Sequence, residues 1–475
     1  MLVRHSMVFV AAKALPSLLG MATTVILTRV LSPTQYGLYG LSLVVMTFTA
    51  GVGFDWLLLC LTRFYEGRHR DPKVVSTVLR LFGANVLLTA SVLLLVWTFK
   101  LRYMPEAGNY VVGILMAWSF AWFEIVAGIE IVNLRSTGYF IMNFGRAMAV
   151  LVCAVGAAWL TGSPIWTAGG TAVGMFLGSL LRRGRITTLL RSTGYDADLA
   201  RKMIAFGLPL AVALLMNGIA FTATRAMVDW LGTPEQLGYY TAAFVLVQNT
   251  LLVISTGIGA ASYQMAVRAV GSGDLALARR QLLDNSTLLL AAMAPVSLGV
   301  ALTAKGIAIT LVGSQYTEAV RMLTPWMAAS AFFTSIRGCY FDQAFQLGHR
   351  PFLLIRVLGV ASVISIGLAY WLIPRIGPEG AAIAITVSAV ASCPLAWIEG
   401  RAAFYLPLPV AAAAKIFVAC GVMALAVLSV RAHTRVDFGI EIVVGILAYS
   451  ASIVALNVFG LRERVFGRTL QWWTR

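Results

Sequence analysis

The chain has 475 residues, of which 59% are hydrophobic and only 12% charged, and its formal net charge is +17. A soluble globular chain carries about 25% charged residues, so half the usual complement is missing and a water-solvated fold is excluded. Backbone groups in hydrocarbon cannot bond to water, which leaves helices or a closed barrel, and continuous runs such as Val410–Val430 lack the alternation a barrel strand needs.

Hydropathy predicts an all-α polytopic membrane protein with about fourteen transmembrane helices. The expected spans lie near 8–31, 37–60, 78–99, 110–134, 142–160, 164–181, 203–230, 238–262, 285–312, 319–346, 351–373, 379–400, 408–430 and 438–459, with 285–312 and 319–346 the least cleanly bounded. The first apolar segment is too long for a signal peptide and lacks a cleavage site, so it is read as a span. Cys60, Cys153, Cys339, Cys393 and Cys420 all fall in apolar segments without a C-x-x-C pair and read as small core residues. His5, His69, His349 and His433 stand singly in loops, so no metal site follows.

Charge orients these spans. Between spans two and three stand Arg63, Arg68, Arg70, Lys73 and Arg80; between six and seven stand Arg182, Arg183, Arg185, Arg191, Arg201 and Lys202. Arg268, Arg279 and Arg280, the tail arginines 462, 464, 468 and 475, and Arg4, Arg135, Arg350 and Arg401 share that side. The opposite side holds Lys100, Arg102, Lys305, Arg375, Arg431 and Arg435. The positive-inside rule then makes both termini cytoplasmic, as an even number of spans requires. Trp97, Trp159, Trp166, Trp230, Trp326 and Trp371 fall at the non-cytoplasmic ends, where amphipathic rings prefer the headgroup level. The net charge is therefore topology and contact with anionic lipid, not a nucleic-acid surface.

The chain also repeats itself. Ser32-Pro33-Thr34-Gln35-Tyr36-Gly37-Leu38-Tyr39 joins spans one and two, and Thr233-Pro234-Glu235-Gln236-Leu237-Gly238-Tyr239-Tyr240 joins spans seven and eight. Both fit P-x-Q-x-G-x-Y, and Leu15-Pro16 echoes Leu208-Pro209 upstream. A second echo pairs Trp159-Leu160, Pro164 and Gly169-Gly170 with Trp371-Leu372, Pro374, Gly377 and Gly380. Two parallel six-helix repeats follow, with the carried molecule held between them near the midplane. The expected organisation is an N-lobe at 1–181, a cytoplasmic lobe linker at 182–202, a C-lobe at 203–400, and spans thirteen and fourteen with a basic tail at 401–475. Within the linker, Ile186, Leu189 and Leu190 suggest a short helix on the membrane surface.

Leu27-Thr28-Arg29-Val30-Leu31-Ser32-Pro33-Thr34-Gln35-Tyr36-Gly37 resembles the first-loop signature of the bacterial polysaccharide flippases of the multidrug/oligosaccharidyl-lipid/polysaccharide (MOP) exporter superfamily. Asn133-Leu134-Arg135-Ser136-Thr137-Gly138 and Phe345-Gln346-Leu347-Gly348-His349-Arg350 are similar to that family's cytoplasmic ends of spans four and ten. Pro374 to Ala382 resembles its P-x-x-G-x-x-G-A-A turn before span twelve. The resemblance covers essentially the whole chain. It implies flipping of an undecaprenyl-diphosphate-linked oligosaccharide to the periplasmic leaflet for exopolysaccharide, capsule or O-antigen assembly. Such a protein sits in the bacterial inner membrane, performs no covalent chemistry and needs no cofactor, with proton or sodium coupling left open. The implied partners are the lipid-linked oligosaccharide, membrane lipids, and the polysaccharide polymerase and glycosyltransferases.

A charged side chain at the bilayer centre costs at least about 2.5–3.5 kcal/mol, so each one within a span is a functional candidate. Asp55, Arg146, Arg356, Glu399 and Lys415 lie at edges and can snorkel. Lys13, Ser17, Gly20, Thr24 and Thr28 line one face of span one, with Arg29 at its outer end. Lys13 suits a diphosphate at the cytoplasmic mouth. Thr49 on span two, Asn217 and Arg225 on span seven, Gln248 and Asn249 on span eight, and Arg337 on span ten complete the candidate substrate cavity. Small polar residues also simply let helices pack. Glu124, mid-way along span four, is a candidate for an ion pair with Arg337 across the lobes or for ion coupling; Asp342 joins it.

Rival functions make other demands. A multidrug exporter wants an acidic or aromatic cavity, whereas a peptidoglycan-precursor flippase shares this span number and charge. A polysaccharide polymerase or ligase should carry a large periplasmic loop, and no external loop exceeds about twenty residues. An ATP-driven pump needs a G-x-x-x-x-G-K-[ST] loop, which is missing. The N-x-[ST] match at Asn285-Ser286-Thr287 falls at a cytoplasmic helix start and carries no weight.

Overall fold

The computed structural model describes residues 2–67, 72–99, 101–133, 135–181, 194–271, 274–348, 350–430 and 435–458. Most of the expected linker, including Arg182 to Arg191, and the tail beyond 458 lie outside the described residues, as do the side chains of Lys13, Asn217 and Asn249. The described chain is helical with no strand.

Its helices are α1 (Leu2–Val30), α2 (Pro33–Gly53), α3 (Asp55–Gly67), α4 (Pro72–Phe99), α5 (Ala107–Val132), α6 (Ser136–Thr161), α7 (Pro164–Leu180), α8 (Ala197–Leu231) and α9 (Pro234–Ala243). There follow α10 (Thr250–Gly271), α11 (Leu275–Leu302), α12 (Ala304–Leu311), α13 (Thr317–Ile336), α14 (Asp342–Leu347), α15 (Pro351–Ile376), α16 (Pro378–Arg401), α17 (Val410–Ser429) and α18 (Arg435–Ala455). Every expected span falls on one of these helices or on a consecutive pair. Among the described residues, ten helical stretches are long and apolar enough to cross a membrane. Four expected spans are compound: α2 meets α3 at Phe54, α11 meets α12 at Thr303, and π-helical turns at Phe244–Asn249 and Arg337–Phe341 join α9 to α10 and α13 to α14.

The repeated motif has a local physical meaning, because each copy starts a helix. The Ser32 hydroxyl accepts from the Gln35 amide at 3.3 Å while the Gln35 side chain accepts from the Ser32 amide at 2.9 Å, a complete capping box. Pro33, at the first helical position, gives up no hydrogen bond. In the second copy Thr233 caps the Gln236 amide at 3.2 Å and Pro234 opens α9. The second echo is also a helix junction, but its second proline is Pro378, later in the chain than the expected Pro374. Gly162 (φ 60°) closes α6 before Pro164, and Gly377 (φ 62°) closes α15 before Pro378. Glycine adopts this left-handed conformation without strain, and proline can start but not continue a helix. Pro374 instead lies inside α15.

The chain divides into two compact units: residues 1–245 with 365–381, and residues 246–364 with 382–475. This cut differs from the lobe division at 182–202, because α8 and α9 pack on α2. Within the first unit α7 lies against α6 through Gly170, Gly174 and Gly178, where any side chain would collide with the α6 backbone at Cys153, Val150 and Arg146. Asn109 of α5 donates to the Leu38 carbonyl at 3.0 Å, and Ser42 donates to the Asn109 carbonyl at 3.0 Å, fastening α5 to α2. Within the second unit α11 packs between α13 and α17, and Tyr449 of α18 donates to the Ala291 carbonyl at 2.7 Å. The tryptophans expected at the membrane boundary are all exposed.

Candidate functional site

The first unit holds a buried cation among tyrosines. Arg225 stands near the end of α8 and is 8% exposed. Its guanidinium lies 5.2 Å from the centre of the Phe244 ring, and Tyr36, Tyr39 and Tyr240 are its phenolic neighbours. The Tyr36 hydroxyl donates to Thr24 at 3.3 Å, and Tyr39 pairs with Thr171 at 3.3 Å. Tyr36 and Tyr39 rings sit 5.6 Å apart, while Tyr240 stacks on Phe244 at 6.3 Å.

Arg225 Nε and Nη2 are buried with no hydrogen-bond partner among the described residues, and so are the Tyr240 hydroxyl and Thr241 Oγ1. A guanidinium removed from water and facing aromatic rings gains up to about 2 kcal/mol from cation–π attraction, which leaves its N–H donors unsatisfied. Two free donors in a fixed fork suit two oxygens of one phosphate or carboxylate.

The structure therefore joins two of the expected cavity residues, Thr24 and Arg225, through Tyr36. Ser17 and Thr49 are half-buried on α1 and α2, and Arg29 is exposed at the end of α1. Gln248 is fully buried in the Phe244–Asn249 turn, with both amide atoms lacking a partner among the described residues. The tyrosines escaped sequence reasoning. The available signal was the tyrosine ending each copy of P-x-Q-x-G-x-Y, which gives Tyr39 and Tyr240; Tyr36 has no such counterpart, since Leu237 stands in its place.

The two candidate carboxylates, Glu124 and Asp342, each have a cation close by. Arg337 Nη1 donates to Asp342 Oδ2 at 3.2 Å, and both residues are 7% exposed. This pair spans the π-helical turn inside the second unit. Glu124 and Tyr139 act electrostatically on Arg146, which also donates to Asn143 at 3.4 Å and lies 4.6 Å from the centre of the Phe123 ring. Glu124 thus has Arg146 as a cationic neighbour on α6, and Arg337 has its own carboxylate. Among the described residues no cluster of His, Cys, Asp or Glu has the form of a metal site.

The second unit also carries two apolar grooves, of about 450 Å³ and about 260 Å³. Leu289, Tyr340, Val410 and Phe417 line the larger, Leu298, Phe332 and Phe417 the smaller, and Phe417 borders both.

A family model described as "Polysaccharide biosynthesis protein" matches residues 26–321. The chain belongs to that family. No curated protein matches it by sequence. Among solved structures, "Lipid II flippase MurJ, inward closed conformation" matches with a TM-score of 0.79 at 13% identity, covering 95% of this chain and 99% of that one. An inward-facing multidrug resistance MATE family transporter of the MOP superfamily matches with a TM-score of 0.61 at 16% identity, covering 84% of this chain and 97% of that one. A MOP superfamily transporter from Pyrococcus furiosus matches with a TM-score of 0.58 at 14% identity, covering 84% and 94%. The chain thus has the fold of these solved structures, and its long apolar helices make it a multi-pass membrane protein of the polysaccharide biosynthesis family.

Proposed function

We propose that this chain flips an undecaprenyl-diphosphate-linked oligosaccharide from the cytoplasmic to the periplasmic leaflet of the bacterial inner membrane, with both termini cytoplasmic. The observation that carries this reading is Arg225, a buried cation with two unpartnered donors, in a chain of a polysaccharide biosynthesis family. A diphosphate loses its hydration on entering the membrane interior, and a guanidinium replaces it with charge-assisted hydrogen bonds. Hydroxyls and amides of Ser17, Thr24, Thr49, Asn217, Gln248 and Asn249 would serve the sugars, and Lys13, Arg29 and Arg337 the charge. The polyprenyl tail stays in lipid beside the protein, where the grooves bordered by Phe417 can take a stretch of alkyl chain. Glu124 and Asp342 are the carboxylates open to proton or sodium coupling. No bond is made or broken. Delivery to a polymerase, after glycosyltransferases have built the glycan, follows from the reading.

A peptidoglycan-precursor flippase is the second reading, favoured by the likeness to a Lipid II flippase. Deleting the gene separates the two. The proposal expects glycolipid to accumulate on the cytoplasmic face, surface polysaccharide to disappear and cells to keep their walls; Lys13→Ala, expressed normally, should fail to rescue. Lysis with intact surface polysaccharide would favour the second reading. Intact surface glycan with raised drug sensitivity would favour multidrug export.

A further inference from the structure

The two copies of the repeated motif touch each other. A methyl group on Gly37 would overlap the Pro234 carbonyl oxygen, and one on Gly238 would overlap the Pro33 carbonyl oxygen. Three residues on in each copy, a side-chain carbon on Gly40 would lie 3.3 Å from Thr241 Cβ and 2.8 Å from its hydroxyl. Each contact joins a residue to its own counterpart, or to the proline preceding that counterpart. Such reciprocity is what a two-fold axis running between the repeats produces. The contact is backbone on backbone, close enough for Cα–H···O attraction, and only glycine permits it.

We propose that the two P-x-Q-x-G-x-Y copies are the two halves of one gate, closing the transporter on the side opposite its basic loops and shutting Arg225 behind it. This rests on the transport reading above. Both copies start a helix on that side, so the contact lies at the non-cytoplasmic mouth. Tyr36, Tyr39 and Tyr240 belong to the same two helices as the contact and stand beside the guanidinium. Alternating access requires this contact to part, and the parts are suited to that. At the glycines themselves the contact is backbone against backbone, so separation needs little rearrangement there. Parting exposes the unpartnered N–H groups of Arg225 and the Tyr240 hydroxyl to water or to an anionic head group, which offsets the lost contact.

The test is a lock. Gly40→Cys with Thr241→Cys places the two Cβ atoms near the separation a disulfide needs, about 3.8 Å. Oxidation should join them, as read by the electrophoretic mobility of the protein after cleavage between the repeats, with each single variant as control. Export of surface polysaccharide should then fall by more than about tenfold and return with reductant. Undiminished export by the fully cross-linked protein would overturn the proposal, as would failure of the folded double variant to cross-link.

A second measurement reads the gate without transport. Gly37→Ala and Gly238→Ala should each let an impermeant thiol reagent added outside the cell reach a cysteine at Thr24, the residue held by Tyr36, whereas Gly83→Ala, with open space beside it, should not. Equal labelling of all three variants would overturn the gate. Gated labelling in a chain that restores no surface polysaccharide would leave the gate standing and remove the glycan reading.

Discussion

At the scale of the residue, Arg225 should separate folding from function. Replacing a buried, incompletely paired charge by an apolar side chain is often neutral or stabilising by about 1–4 kcal/mol. Arg225→Leu is therefore expected to melt, as purified protein in detergent, no lower than the unaltered chain, yet to lose export. Arg225→Lys keeps the charge without the fork and should retain a minor part of it. A large fall in melting temperature for Arg225→Leu would mean that the guanidinium serves structure. Arg225 was legible in the sequence because a charge in a long apolar run stands out. Its aromatic surroundings were not, since tyrosine in a span looks like any amphipathic core residue until α2, α8 and α9 are brought together.

At the scale of the element, the helix starts were readable and the π-helical turns were not. Pro, Gln and Ser or Thr at fixed spacing specify a capped start, and Ser32→Ala should cost about 1 kcal/mol, measurable as a lower unfolding temperature. A π-helical turn inserts one residue, which a continuous apolar run absorbs without any change of composition. The turn at Arg337–Phe341 carries a buried pair whose members depend on each other. Arg337→Ala should destabilise by about 3–5 kcal/mol by leaving Asp342 uncompensated, and Arg337→Met with Asp342→Leu should recover most of that loss. A double variant as unstable as the single one would show that Arg337 acts through something other than Asp342. Asp342 was legible as an ion-pair candidate, but repeat symmetry does not single out a partner five residues along the same chain.

At the scale of the whole molecule, composition decided the solvent, the helical class and the multi-pass architecture. All three hold, because missing charge and long apolar runs admit few alternatives. The repeat was legible as well. What it does was hidden, because only the folded chain shows that the second copy packs on the first. The basic loops carry a further expectation: a reporter at either terminus should react only from the cytoplasmic side. The glycan leaves no mark on a short stretch of sequence, since hydroxyls and amides recognise many sugars. The most direct measurement of the central claim is flipping by the purified protein in liposomes, using a polyprenyl-diphosphate oligosaccharide and its uncharged polyprenyl counterpart. Faster movement of the diphosphate form, abolished by Arg225→Leu, is the predicted result; equal movement of both forms, or of neither beyond protein-free liposomes, would contradict it.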